Sequence, residues 1–243
     1  MKLSIYCADC ITEGVQPSEE SVVSVEFTDD GRYQIGCPKG HSSTIVLQQQ
    51  KFEVLFEIGV YAILDAYYRE AVSSFTTSLE RFYEYFIKVV LLAKGLDAKG
   101  VEESWKLVAN QSERQLGAFI FLYTSEFRKS PRLLNNNRTR FRNDVTHKGK
   151  IPKHQEAIDY GQAILDVLRP MLREVMKRFP NEVAKTIQEH LYGDGIFNQE
   201  GKRASVLTTN TIVSLSFNEP GKEEPSLQAY LDRFVKPRSE STP

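Results

Sequence analysis

The chain changes its hydrophobic period along its length. In residues 1–47, Val22–Phe27 alternates apolar and polar positions, Asp29-Asp30-Gly31 supplies turn chemistry and Arg32–Gly36 resumes a short strand, so this stretch predicts a β-hairpin. From Ile45 to about Tyr192 the period becomes helical. Phe75, Leu79, Phe82, Phe86, Val89 or Val90 and Ala93 recur at spacings of three and four and make one apolar stripe, while Ile87 and Leu91 lie off it, which predicts a helix packed on two sides. Phe52–Tyr68 predicts an earlier helix whose buried face carries Phe52, Leu55, Phe56, Gly59, Ile63 and Ala66. Residues 100–129 predict a short helix around Trp105 and a longer one through Phe119, Leu122 and Phe127, broken by Pro131. Leu133 to about His147 reads as a short helix stopped by Gly149 and Pro152. Gln155–Phe179 reads as a long helix with Pro170 as a candidate kink, and Glu182–Leu191 as another. In the tail, Val206–Phe217 is expected to be a strand or hairpin, 220–225 a charged linker and Leu227–Phe234 a short helix. The expected fold class is mainly α: a helical bundle over 48–192, a small β segment over 1–47 and an irregular or β C-terminal extension over 193–243.

The three cysteines fall within that first segment, as Cys7-x2-Cys10 and then Cys37-Pro-Lys-Gly-His41 after the expected hairpin. Three cysteines cannot all pair within one chain. Two short ligand pairs held by β-structure are how a zinc ribbon works, since each pair makes a tight turn and thiolates plus imidazole close a tetrahedral site. Cys7, Cys10, Cys37 and His41 are therefore the expected ligands of a structural Zn2+, and Gly40 permits the turn of the second pair. Four protein ligands leave no open position for water, so this ion has no catalytic part.

Composition sharpens the picture only when the charge is divided. The 243 residues carry 31 basic and 32 acidic side chains, with a net charge of −1. Between Arg128 and Lys153, however, nine basic residues face the single acid Asp144, a local excess of eight positive charges that leaves the remainder at −9. Such a field attracts polyanions. The longest apolar runs, such as Phe86–Ala93, are far shorter than the ~20 residues of a membrane span, and the N-terminus has no secretory apolar region. A cytoplasmic protein without membrane attachment is expected.

Within the basic stretch stands Arg142-Asn143-Asp144-Val145-Thr146-His147. RNA is cut without a metal when one group takes the 2′-hydroxyl proton, the oxygen attacks the adjacent phosphate, a second group protonates the leaving 5′-oxygen and a cation holds the phosphorane charge. Histidine serves as base or acid near neutrality, and guanidinium is a permanent planar fork for phosphate oxygens. Five positions on an ideal helix separate side chains by about 140°, so Arg142 and His147 do not share a face. Either the motif bends at its end, or its residues meet partners from a second chain. Near a helix C-terminus the dipole favours a cation, which suits at least one His147 to the general-acid role.

This R-x4-H arrangement, with an amide after the arginine, resembles the signature of the HEPN superfamily of small helical domains. SSFTTSLERFYEYFIKVVLLAKG resembles their early helix, and RNDVTHKGKIPKHQEAIDYGQAILDVL the motif with its downstream helix, so the likeness covers roughly residues 50–190. The resemblance implies a homodimeric, metal-independent endoribonuclease leaving a 2′,3′-cyclic phosphate and a 5′-hydroxyl at a composite dimer site. It also implies toxin or phage-defence biology, with an antitoxin or regulatory protein as a further partner. Arg142, His147 and Asn143 are the expected catalytic residues; Arg138, Arg140, Thr146, Lys148 and Lys150 are the expected RNA-positioning groups. Glu80 and Glu84 resemble acids of the family's early helix, but a solvated helix face explains either. Tyr83, Tyr85, Phe119, Phe121 and Tyr123 are expected in the core, and His190 on the surface. Two other readings stand beside the enzyme: a non-catalytic nucleic-acid- or protein-binding HEPN dimerisation module with a zinc ribbon, and a sensor whose ribbon recognises a ligand.

Overall fold

A computed structural model describes residues 2–14, 22–193, 195–198, 204–216 and 224–235. The chain divides into two units, one of residues 1–50 with 185–209 and the other of 51–184 with 210–243. The segment after Gly193 is thus shared between both. Among the described residues, no helix is long and apolar enough to cross a membrane.

In the first unit, β1 (Lys2–Tyr6) alternates exposed and buried positions, turning Leu3 and Ile5 inward. A five-residue helix, α1 (Ala8–Thr12), separates it from its antiparallel partner β2 (Val22–Glu26), in register from Lys2↔Glu26 to Tyr6↔Val22. A second antiparallel pair joins β3 (Arg32–Gly36) to β4 (Ser42–Leu47), from Arg32↔Val46 to Gly36↔Ser42. The expected hairpin between Val22–Phe27 and Arg32–Gly36 is therefore not formed. The Asp-Asp-Gly turn, with Gly31 at φ +65°, carries the chain from one ladder to the next. Strand β3 pairs instead with the almost wholly buried β4, which the short turn at Cys37–His41 brings alongside it. Strand β5 (Ala204–Leu207) adds parallel to β4, from Thr44↔Ala204 to Leu47↔Leu207. The strand expected over 206–217 is this shorter element; among its described residues, 208–216 form none. His190, expected on the surface, is tied in: its Nε2 donates to the Leu47 carbonyl at 2.8 Å, and Arg32 donates to the His190 carbonyl at 2.5 Å.

The second unit is helical. Its elements are α2 (Lys51–Leu64), α3 (Tyr68–Ala93), α4 (Ala98–Lys106), α5 (Ser112–Phe127), α6 (Asn136–His147), α7 (His154–Arg178), the start of α8 (Pro180–Tyr192) and α9 (Leu227–Val235). Mainly α is the correct class. The helix expected over Phe52–Tyr68 is cut at Leu64, because Ala66 takes φ +62° and the Tyr67 N–H closes back on the Ala62 carbonyl at 2.7 Å. Ala66 is consequently exposed. Helix α3 is buried on more than one side, Ile87 as well as the main stripe, and the α7 helix runs on through Pro170.

The core centres on Phe75 of α3, whose ring packs at a tilt against Phe56 with centroids 4.6 Å apart. A Cβ at Gly59 of α2 would lie 2.5 Å from the Phe75 ring, and one at Gly161 of α7 would lie 2.7 Å from it and 2.5 Å from Leu227. These two glycines let three helices close on one aromatic ring. Around it Phe52 meets Phe82, and Phe86 meets Phe119, both in edge-on contact. Phe121, expected in this core, is 79% exposed. It lies on the opposite face of α5 from the buried Phe119 and Tyr123, two residues away in either direction.

The tail is held by buried charge. Glu53 accepts the Leu215 N–H at 2.8 Å, and Glu57 accepts the Tyr230 hydroxyl at 3.0 Å and the Ile212 N–H at 3.5 Å. Arg169 donates to the carbonyls of Ile212 and Pro225, each at 2.8 Å. These side chains satisfy backbone groups of the buried irregular stretch 211–215, where the Thr211 hydroxyl also donates to the Val213 carbonyl at 2.6 Å.

Two outcomes follow from this core. Gly161→Val should destabilise the protein by about 1–3 kcal/mol through overpacking, seen as a lower denaturant midpoint; an unchanged midpoint would refute the close approach. Burial raises Glu57 to about 7, against the hydrogen bonds from Tyr230 and Ile212 that lower it. The folded state therefore holds this proton more tightly than the unfolded chain. Its contribution is intact below about pH 4.5, is lost as the pH rises to about 7, and is constant above. Glu57→Gln should flatten that decline in unfolding free energy.

Candidate functional site

The metal-ligand quartet is assembled by local turns. Cys7 follows β1 directly and the single helical turn of α1 brings Cys10 round, the Ile11 N–H bonding the Cys7 carbonyl at 3.1 Å. The β3–β4 turn brings the second pair: Gly40 at φ +88° donates to the Cys37 carbonyl at 2.9 Å, and the Cys37 N–H to that of His41 at 2.9 Å. All three thiols are buried, and the four ligand atoms lie within 4.8 Å of one another. Cys10 Sγ is 3.8 Å from Cys37 Sγ, and His41 Nδ1 is 3.7, 3.4 and 3.5 Å from the sulfurs of Cys7, Cys10 and Cys37. A tetrahedral ion with metal–sulfur distances of about 2.3 Å needs sulfur–sulfur edges of about 3.8 Å and slightly shorter sulfur–nitrogen edges. The quartet fits a metal ion of that kind.

The surroundings tune the ligands. Burial and the neighbouring thiols push Cys10 up to about 11. Cys37 is buried too, yet backbone N–H groups of His41 and Lys39 and hydrogen bonds from the other two thiols bring it down to about 7. His41 turns its other nitrogen, Nε2, to Glu13 at 3.2 Å. A carboxylate there fixes the ring with Nδ1 towards the sulfurs, a pattern common behind metal-bound histidines. Sequence reasoning missed Glu13, whose one signal was its place a single turn beyond Cys10. Residues 1–50 hold seven acids against three bases, so this segment is electrostatically unsuited to a polyanion.

The arginine–histidine motif lies on α6. Asn135 caps its start by accepting the Arg138 N–H at 3.0 Å. Its end comes where the Gly-then-Pro signal put it: Gly149 takes φ +72° and the Lys150 N–H closes on the Asp144 carbonyl at 3.0 Å. The helix is unbroken from Asn136 to His147, so of the two ways to unite Arg142 and His147, a bend is removed. Val145 is its buried residue; Arg142 stands about 60° to one side of it and is half-buried, whereas His147 points away and is exposed.

Arg142 has charged and polar neighbours on the bundle within electrostatic range. Its charge acts on Glu80 of α3, whose carboxyl is raised by burial and drawn back down by Arg142 and Arg81, and on Tyr160 of α7, pushed up to about 12 mainly by burial. Tyr160 shares a 2.8 Å hydrogen bond with Thr76 and packs on Phe141. Glu80 is half-buried and feels the charge of Arg142 and Arg81, against the expectation of a solvated face, while Glu84 pairs with Arg81 at 2.5 Å. Asn143 and Arg138 are half-buried; Arg140, Thr146 and Lys148 are exposed. Lys148 pairs with Asp144 at 2.8 Å, and Lys150 pairs with Glu156 at 2.6 Å and covers the Phe141 ring. The basic face is therefore partly neutralised within its own chain.

Comparison of the chain with family models, curated proteins and solved structures gives no match.

The metal centre yields a direct expectation. Purified protein should carry one divalent ion per chain, Cys37→Ser should lose it and loosen residues 1–50 to proteolysis, and Glu13→Gln should weaken it about 10–100-fold in chelator competition. Protein that takes up no divalent ion would refute the site.

Proposed function

We propose that the helical unit is a HEPN-like endoribonuclease acting as a homodimer, and that the Cys7–Cys10–Cys37–His41 site holds a structural zinc ion. The observation carrying the first part is the geometry of α6, with Arg142 half-buried and His147 exposed at the C-terminal turn of the same unbroken helix. Two such helices related by a two-fold axis present two arginines and two histidines to one phosphate. One His147 takes the 2′-hydroxyl proton, the 2′-oxygen attacks phosphorus, and the partner's His147 gives its proton to the departing 5′-oxygen. Arg142 holds the phosphorane charge, the Glu80 carboxyl acts on that cation through its field, and Asn143 orients the phosphate. Arg138, Arg140, Thr146, Lys148 and Lys150 track the backbone. For the second part, thiolate-rich, four-ligand, tetrahedral geometry is the preference of zinc, and the closed donor set supports a purely structural role.

The test is cleavage of end-labelled RNA without added divalent ions. Wild type should give 2′,3′-cyclic phosphate ends, and Arg142→Ala and His147→Ala should each lower the rate at least about 100-fold while leaving the fold intact. Glu80→Gln should lower it less. RNA binding with no wild-type cleavage would replace the enzyme with the non-catalytic binding module. A strict monomer at micromolar concentration would remove the composite site.

A further inference from the structure

Phe121 is 79% exposed on the outer face of α5. A single exposed phenylalanine is ordinary on a protein surface, but this one lies between two arginines. Arg114 stands seven residues before it and Arg128 seven after it. Seven residues are close to two whole helical turns, so the three share one face at intervals of about 10 Å along the axis. The other residues of that face are small, namely Gly117, Ala118, Thr124 and Ser125, and a Cβ at Gly117 would meet nothing within 4 Å. No bulky side chain on this face therefore flanks the ring. Both guanidiniums are exposed, and among the described residues neither has an ion-pair or hydrogen-bond partner. Arg128 closes α5 at φ 56°, a left-handed conformation that glycine or asparagine usually supplies, and no such bond accounts for an arginine there. Arg132, in the segment leading to α6, is exposed and unpartnered in the same way, whereas Lys129 is tied to Glu174 at 2.5 Å. The acids of α5 do not neutralise this face: Glu126 pairs with Lys94 at 2.5 Å, and Glu113 lies about 100° round the helix from Arg114.

We propose that the outer face of α5 is a track for single-stranded RNA, with Arg114 and Arg128 on backbone phosphates and one base stacked on Phe121. The choice of RNA over DNA rests on the ribonuclease reading; the contacts themselves do not. Guanidinium is a permanent planar fork for phosphate oxygens, and an aromatic ring takes the face of any base. Bases are free to leave their neighbours only in single strands, so a duplex gives this ring nothing to stack on. A second copy of the chain is a poorer occupant. It would bring arginine against arginine whether the two α5 helices ran parallel or antiparallel, and one phenylalanine is far from the apolar core of an interface of about 1,200–2,000 Å².

The test is a fluorescence-anisotropy titration of the full-length protein with labelled 2′-O-methyl oligouridylate, which 2′-oxygen attack cannot cleave. Binding should be saturable and much weaker for the same strand annealed to its complement. Phe121→Leu, apolar but without a ring face, should weaken it at least about fivefold, and Phe121→Trp should retain it. Arg114→Gln and Arg128→Gly should each lower the slope of log affinity against log salt by about 0.7, the latter without loss of thermal stability because glycine suits the left-handed backbone. No saturable binding, equal affinity for the duplex, full affinity in Phe121→Leu, or tighter binding of oligothymidylate than of oligouridylate would overturn the track. Binding through these residues in a protein that cuts no RNA would support the track and remove the ribonuclease reading. Cleavage by a protein whose RNA binding ignores all three sites would do the reverse.

Discussion

The helical unit depends on one packing constraint, the seating of Phe75 against two glycines. Phe75 is fully buried, and neither Gly59 nor Gly161 has space for a Cβ beside its ring. Because interiors pack like crystals, the separation of α2, α3 and α7 is set by that ring rather than by average helix diameters. Helix α3 becomes the central element, and its outward turns determine which polar groups meet. Thr76 and Glu80 follow Phe75 on the side facing α6 and α7, so Tyr160 bonds Thr76 and Arg142 acts on Glu80. The arginine site is a consequence of the aromatic core beneath it.

The same unit buries charge in order to bury irregular backbone. Glu53, Glu57 and Arg169 supply hydrogen bonds to backbone groups of Ile212, Leu215 and Pro225. Leaving any of these backbone groups unsatisfied costs about 1–3 kcal/mol, so each buried charge carries part of the docking of the tail. Desolvation is the counterweight, and it appears as the raised Glu57.

The two candidate sites differ in how they are made. The Cys3His quartet is closed by two tight turns and is complete within 41 residues. The arginine–histidine pair is divided by helix geometry, with a half-buried cation on one side of α6 and an exposed imidazole on another. Catalysis of the proposed kind needs a second copy to complete the arrangement, whereas metal binding needs none.

Periodicity along the sequence was enough to locate the long helices of the bundle, though neither the five-residue α1 nor the end of α2 at Leu64, because burial of a stripe at spacings of three and four is a local pattern. Ligand spacing was enough to pick out Cys7, Cys10, Cys37 and His41, and Gly149 with Pro152 marked the end of α6, since tight turns are specified by adjacent residues. Strand pairing was not legible: β2 has two geometrically acceptable neighbours, and β5 reaches β4 from 160 positions away. Phe121 shared the apolar character of Phe119 and Tyr123, and only packing decided which face of α5 turned inward. Glu80 and Glu84 looked alike on one helix face until the fold set Glu80 within the field of Arg142 and Arg81 paired with Glu84. Sequence alone determined the main helices of the bundle and the metal turns because both are short-range, whereas β1, α1 and β4, the last inside a stretch that reads as helical from Ile45, escaped it. Tertiary structure decided the partners, because a side chain's electrostatic environment is set by residues that are distant in the chain and close in space.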